Sequence, residues 1–145
     1  MRCTWSQRWA WALDCRSSSI CSHVVREARE QVKLREIVDA LDLQVAAAAD
    51  DLEREVSGGY ASDLLSCVMA RAQAGNVWVT LQSHPNIVAV ASLLNLAGIV
   101  VTEGSPLDPN TIAKANEEHI PILTTPRTTF TVVSQLAALG IRGVD

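Results

Sequence analysis

Four short polar clusters in this 145-residue sequence carry side chains able to bind or to react. Gln82-Ser83-His84 and Asn86 set two amides, a hydroxyl and an imidazole close together. Thr102-Glu103-Gly104 adds a hydroxyl, a carboxylate and a permissive backbone. Thr124-Thr125-Pro126-Arg127-Thr128-Thr129 gathers four hydroxyls around one guanidinium. Ser57-Gly58-Gly59 can bring backbone N–H groups to a phosphate, or simply turn the chain. His84 suits a ligand contact or a general base near neutral pH. Catalysis would also require an orienting partner and a nucleophile or metal. The nearby carboxylates, Asp63 and Glu103, hold no regular spacing to His84, so no metal site is expected. Threonines of the 124–129 type also serve as helix caps, while Arg127 can grip a phosphate or carboxylate. Neither GxxxxGK[ST] nor GxGxxG occurs, and no cofactor is expected.

These clusters interrupt a regular alternation of elements. Val77–Gln82 is a strand, Ile87–Ala97 a helix, and Gly98–Gly104 a second buried β-run with its polar end. One βαβ unit implies a parallel sheet, whose ligands sit beyond the carboxyl ends of the strands. Asp108 as N-cap and Pro109 at the first helical position open the next helix, through Thr111–His119. A strand over Pro121–Thr125 and a helix over Phe130–Leu139, stopped by Gly140, complete a β-α-β-α-β-α order. Upstream, apolar residues at 34, 37, 38 and 41 predict a helix over Val32–Leu41. Leu43–Ala47 reads as a short strand, Asp50-Asp51 as a turn, and Leu52–Val56 as a short strand or extended loop. Ser57–Tyr60 reads as a break, and Ala61–Ala74 as a helix with Leu64, Leu65, Val68, Met69 and Ala72 on one face. The expected fold is α/β, a three-layer α/β/α sandwich with a mostly parallel sheet.

Composition narrows the function. With 48% hydrophobic residues the chain can bury a core. Its charge of −4 is uneven: five Arg face three acidic residues before residue 31, and seven basic face thirteen acidic residues after it. An acidic body argues against non-specific binding to nucleic acid or to a membrane surface. No apolar run reaches the roughly 20 residues of a membrane span. Residues 1–30 hold Trp5, Trp9, Trp11, Cys3, Cys15 and Cys21 without a clean period, and are expected to be a poorly ordered extension that adds little stability. The cysteine spacing there matches no zinc motif. The lone body cysteine, Cys67, fits a reducing cytoplasm.

Residues from about 31 to 141 resemble the DRTGG domain, a small α/β module found alone, beside CBS domains and in some family II pyrophosphatases. It is similar in fold to the N-terminal domain of HPr kinase/phosphorylase. The resemblance runs through Val56–Tyr60 with Ser62–Ser66, Val77–Thr80, Ile87–Ala91, Ile99–Thr102 and Ile120–Pro126. Where that family has Asp-Arg before its central helix, this chain has Ser83-His84; for Thr-Gly-Gly it has Thr102-Glu103-Gly104; for a later Asp-Thr pair it has Thr128-Thr129.

The resemblance implies a non-enzymatic regulatory module that senses a small ligand, such as an adenine nucleotide, and forms a homodimer. The alternatives are a protein–protein adaptor without ligand and a small enzyme using His84 and Asp63. The ligand is expected across the strands ending at Gln82, Thr102 and Thr125, against free N–H groups of the helix starting near Asn86. The residues expected to meet it are Ser57, Gly58, Gly59, Gln82, Ser83, His84, Asn86, Thr102, Glu103, Gly104, Thr125, Arg127 and Thr128. Arg127 is the one cation placed to favour an anion there. Glu103 would oppose it unless Mg²⁺ bridges carboxylate and phosphate.

Overall fold

The computed structural model describes residues 31–145; the expectations for residues 1–30 lie outside the described residues. Chain order runs β1 (Val32–Lys33), α1 (Leu34–Leu41), β2 (Gln44–Ala47), a 3₁₀ turn (Ala49–Asp51), β3 (Glu55–Val56), β4 (Gly58–Ala61), α2 (Leu65–Arg71) and β5 (Asn76–Thr80). Then follow α3 (Asn86–Leu94), β6 (Gly98–Val101), α4 (Pro109–Glu117), β7 (Ile122–Thr124) and α5 (Thr129–Ala138). The main sheet has five strands in the order β2-β7-β6-β5-β4. β4, β5, β6 and β7 are parallel, and β2 closes one edge antiparallel to β7. β1 and β3 form a separate two-residue ladder.

Side-chain alternation along the strands divides the core between the two faces of the sheet. Val77, Val79, Val100 and Leu123 point to the face covered by α1 and α5. Trp78, Ile99, Val101 and Ile122 point to the face covered by α2, α3 and α4. Every residue of β5 and β6 is buried, as expected of parallel strands covered on both sides. The architecture is the three-layer α/β/α sandwich that the alternation of elements implied. Strands β4 to β7 succeed one another in one direction, so their three crossover helices all lie on the same face. α5, after β7, crosses to the other face, which it shares with α1.

Three local readings differ from the structure. Ser57–Tyr60 is not a break: Gly58–Ala61 is strand β4, paired with β5 from Gly58–Asn76 to Ala61–Val79. A Cβ on Gly58 would come within 3.1 Å of both the Arg142 carbonyl and Asn76 Oδ1, so close approach, not turning, favours glycine there. The helix expected over Ala61–Ala74 is confined to Leu65–Arg71. Ser62–Leu64 stay outside the helix, with the Ser62 carbonyl accepting from the Trp78 indole at 2.8 Å and the Ser62 hydroxyl accepting from the Leu64 N–H. Val32 and Lys33 belong to β1 rather than to the first helix, since they pair with Val56 and Glu55.

Candidate functional site

The carboxyl ends of β4, β5, β6 and β7 lie side by side, and the loops that follow them form one edge of the domain. There the structure brings together Gln82, Ser83, His84, Asn86, Thr102, Glu103, Gly104, Thr125, Arg127 and Thr128. Ser57, Gly58 and Gly59 do not join them. Gly58 is level with Asn76, the first residue of β5, and so lies at the opposite end of the strands. Four residues of strand separate the two ends, about 13 Å. The Ser57 hydroxyl donates to the Ala74 carbonyl, and the Gly59 N–H to the Arg142 carbonyl, so this segment ties strands together.

Hydroxyls and carboxylates knit the strand-end edge. Asp63 Oδ1 accepts from Thr80 Oγ1 at 2.8 Å and from the Leu81 N–H at 2.7 Å. Thr80 Oγ1 in turn accepts from the Gln82 N–H. Buried Thr102 and the Thr129 hydroxyl lie 2.7 Å apart, and the Thr111 hydroxyl donates to the Ser83 carbonyl at 2.7 Å. Thr80, Thr111 and Thr129 were not among the expected site residues. Their only sequence signal is a threonine next to or inside an apolar run, which does not reveal its partner.

The loop after β6 closes on the loop after β7. Glu103 and Gly104 both adopt positive φ, +59° and +64°, which turns their N–H groups onto the Arg127 and Thr125 carbonyls at 2.8 and 3.0 Å. The crevice between the ends of β6 and β7 is thereby bridged by backbone. The Glu103 carboxylate stays exposed.

The starts of α3, α4 and α5 are not open. The Asn86 N–H donates to His84 Nδ1 at 3.3 Å, the Ile87 N–H to the His84 carbonyl and the Val88 N–H to the Pro85 carbonyl. The expectation of free N–H groups on α3 is therefore corrected: a turn over His84–Ile87 occupies them before the helix begins. His84 Nδ1 must be unprotonated to accept this bond, which leaves the Nε2 side of the ring to face outward contacts. Asp108 caps α4 by accepting from the Asn110 N–H at 2.8 Å, with Pro109 at the first helical position. Thr128 caps α5 through the Thr131 N–H.

Arg127 is engaged elsewhere. Its Nη1 donates to the Leu41 carbonyl, at the C-terminal end of α1, at 2.6 Å, and to Gln135 Oε1 on α5 at 3.1 Å. The guanidinium thus reaches into the α1/α5 layer. Exposed polar side chains at the edge include those of Asp63, Gln82, His84, Asn86, Glu103 and Thr128. Such a surface can offer hydrogen bonds and two carboxylates, of which Asp63 already accepts from Thr80 and Leu81. Among the described residues, no group of three His, Cys, Asp or Glu could hold a metal ion.

The DRTGG domain family matches residues 36–139, spanning every element from α1 to α5. The chain belongs to the DRTGG family. A crystal structure of the CBS and DRTGG domains of the regulatory region of Clostridium perfringens pyrophosphatase, complexed with its activator diadenosine tetraphosphate, shares the fold. Its TM-score is 0.60 at 18% identity, over 72% of this chain and 45% of that one. The DRTGG chain described here therefore matches less than half the length of that regulatory region. No curated protein matches it significantly. At two of the positions that depart from the DRTGG pattern, the structure supplies a local role: His84 caps the start of α3, and Glu103 occupies the left-handed turn.

Proposed function

We propose that this chain is a non-catalytic regulatory module of the cytoplasm that senses a small ligand, an adenine nucleotide in the first instance, and associates with itself. The DRTGG family match carries this reading, because the structurally similar protein uses such a domain within a regulatory region complexed with an adenine nucleotide activator. The exposed Gln82, His84, Asn86 and Glu103 at the strand-end edge offer hydrogen-bonding groups suited to a base or a ribose. A small enzyme built on His84 and Asp63 is less well supported. Asp63 Oδ1 already accepts two bonds from β5 and its loop, and His84 Nδ1 accepts the Asn86 N–H.

Thermal shift with AMP, ADP, ATP and diadenosine tetraphosphate, each with and without Mg²⁺, tests the ligand. A ligand that binds only the folded state at about 100 times its Kd adds about 2.7 kcal/mol of stability. The expected result is a rise in Tm with one of these nucleotides, reduced by His84→Ala or Gln82→Ala. No shift with any of them at millimolar concentration overturns nucleotide sensing. A specific observation favours the adaptor reading in that event: the starts of α3, α4 and α5 are taken up by local hydrogen bonds and Arg127 is engaged with Leu41 and Gln135, so none of these groups is free to hold a phosphate.

A further inference from the structure

The strand-end edge carries charge of one sign. Its exposed ionised side chains, Asp63 and Glu103, are both carboxylates. They stand on either side of the end of β5. Ala61 pairs with Val79 and Val101 with Thr80, so Asp63, Gln82 and Glu103 each lie two residues beyond a paired strand position. Both carboxylates are held in place. Asp63 accepts from Thr80 and from the Leu81 N–H, and the Glu103 backbone is fixed by its bond to the Arg127 carbonyl.

Among the described residues no cation pairs with either carboxylate. Arg127 turns its guanidinium to the Leu41 carbonyl and Gln135. Lys33 and Arg35 pair with Glu53, and Arg54 donates to the Leu96 and His119 carbonyls. Arg71 and Lys114 fall in the last turns of α2 and α4, helices that run from the carboxyl ends of the strands back toward their amino ends. Arg142 lies beside Gly59, near the amino end of β4. A phosphate brought to the edge therefore meets like charge without a partner, an arrangement that selects against anions.

The remaining exposed groups suit the uncharged part of an adenine compound. The carboxamides of Gln82 and Asn86 each set a donor beside an acceptor, the pattern that matches the amino group and neighbouring ring nitrogen of adenine. His84 Nδ1 accepts the Asn86 N–H, so its ring offers Nε2–H as a donor. A carboxylate only accepts hydrogen bonds, and the hydroxyls of a ribose supply them. We propose that this edge binds the nucleoside part of an adenine compound and turns its phosphates away. Adenosine is then held more tightly than AMP, and affinity falls with each further phosphate when Mg²⁺ is absent. The inference rests on the ligand-sensing reading above and names the chemical class that its site accepts.

Calorimetric titration of the full chain with adenosine, AMP and ATP, in EDTA at low ionic strength, tests the inference. Adenosine should bind at least about threefold more tightly than AMP, the effect of one unit charge roughly 6 Å away in water, and AMP more tightly than ATP. Salt that shortens the Debye length to about 3 Å should strengthen AMP binding and leave adenosine binding unchanged. Glu103→Gln keeps an oxygen acceptor and removes the charge. It should shrink the preference for adenosine over AMP, whereas a merely structural effect would weaken both ligands alike. AMP or ATP binding more tightly than adenosine in EDTA overturns the inference and leaves nucleotide sensing standing. A preference for adenosine that neither salt nor Glu103→Gln alters also overturns it, since charge would not be its cause. Binding of none of the three at millimolar concentration overturns the ligand-sensing reading and this inference with it.

Discussion

Replacing Arg127 by alanine should damage the fold before it damages any ligand site. The guanidinium donates to the Leu41 carbonyl at 2.6 Å and to Gln135 Oε1 at 3.1 Å, and the residue is half-buried. Leu41 is the last residue of α1, so its carbonyl has no partner within the helix. Hydrogen bonds from a charged donor contribute about 1.5–3 kcal/mol, and a buried carbonyl left without a donor costs about 1–3 kcal/mol. These overlap, and water replaces part of what is lost, so about 2 kcal/mol is expected for Arg127→Ala. For a domain of this size that lowers Tm by roughly 8 °C. Urea denaturation should show a lower midpoint with an unchanged slope. Gln135→Ala should cost less, because it removes the longer of the two bonds. A double-mutant cycle should show the two residues coupled. Arg127→Lys should recover only part of the loss, since an ammonium lacks the planar fork. An Arg127→Ala protein with the wild-type urea midpoint would refute this reasoning and return Arg127 to the surface as a free cation.

Gly98→Ala should destabilise by about 1–3 kcal/mol through overpacking, since its new Cβ would lie 2.9 Å from Leu34 Cδ2 and 3.3 Å from the Pro121 carbonyl; Leu34→Ala in the same chain should relieve part of that strain in a denaturation cycle. Trp78→Phe leaves the Ser62 carbonyl without its indole donor and should cost about 1–3 kcal/mol, with lost protection of Leu64 and Leu65 amides as the local readout. The hydrogen bond and charge of Lys33 hold the Glu53 carboxyl below its ordinary value of 4.5. The same pair, through its hydrogen bond and charge, holds the Lys33 ammonium above 10.5. The Glu53 contribution is therefore present above the ordinary carboxylate range and lost as pH falls through the lowered value. The Lys33 contribution is present below 10.5 and lost as pH rises through the raised one. The gap in urea midpoint between wild type and Glu53→Gln should accordingly close in acid, and a gap that persists there would refute the assignment.

How much of this was legible in the sequence depends on how local each cause is. Asp108-Pro109 announced the start of α4 because a cap and its proline act within three residues. The run from β5 to α5 was legible because short continuous apolar runs, bounded by polar turns, alternate there with helical stretches. Gly58-Gly59 misled, since glycine is depleted in strands and its reason for being in β4 is the approach of Arg142, more than eighty residues later. Reading those glycines as a turn also hid which end of the sheet they occupy. At the strand ends, the positions of His84, Glu103 and Arg127 followed from the alternation, but their bonds did not. Arg127 finds its acceptor on a helix 86 residues earlier, and the left-handed turn of Glu103 is held by the loop after β7. Partners of that kind exist only once the chain has folded.

The order in which the strands lie has a kinetic corollary. From β4 to β7 each strand sits beside its predecessor, so those four of the five strands can assemble by short-range steps. β2 alone must wait, because its partner β7 lies nearly eighty residues downstream, with Gln44 opposite Thr124. Closing so long a loop is slow, and contacts of high sequence separation form late. The segment holding α1 and β2 is thus expected to dock last and to detach first, which hydrogen exchange would register as weaker protection in Gln44–Ala47 than in β5 or β6. While it is away, Ile122–Thr124 presents an apolar strand with an unpaired edge, the hallmark of a sheet that recruits other chains into aggregates. The irregularity between Val45 and Ala47 breaks the regular ladder of the strand that covers it, so the completed sheet ends in an edge poorly shaped for adding a further strand.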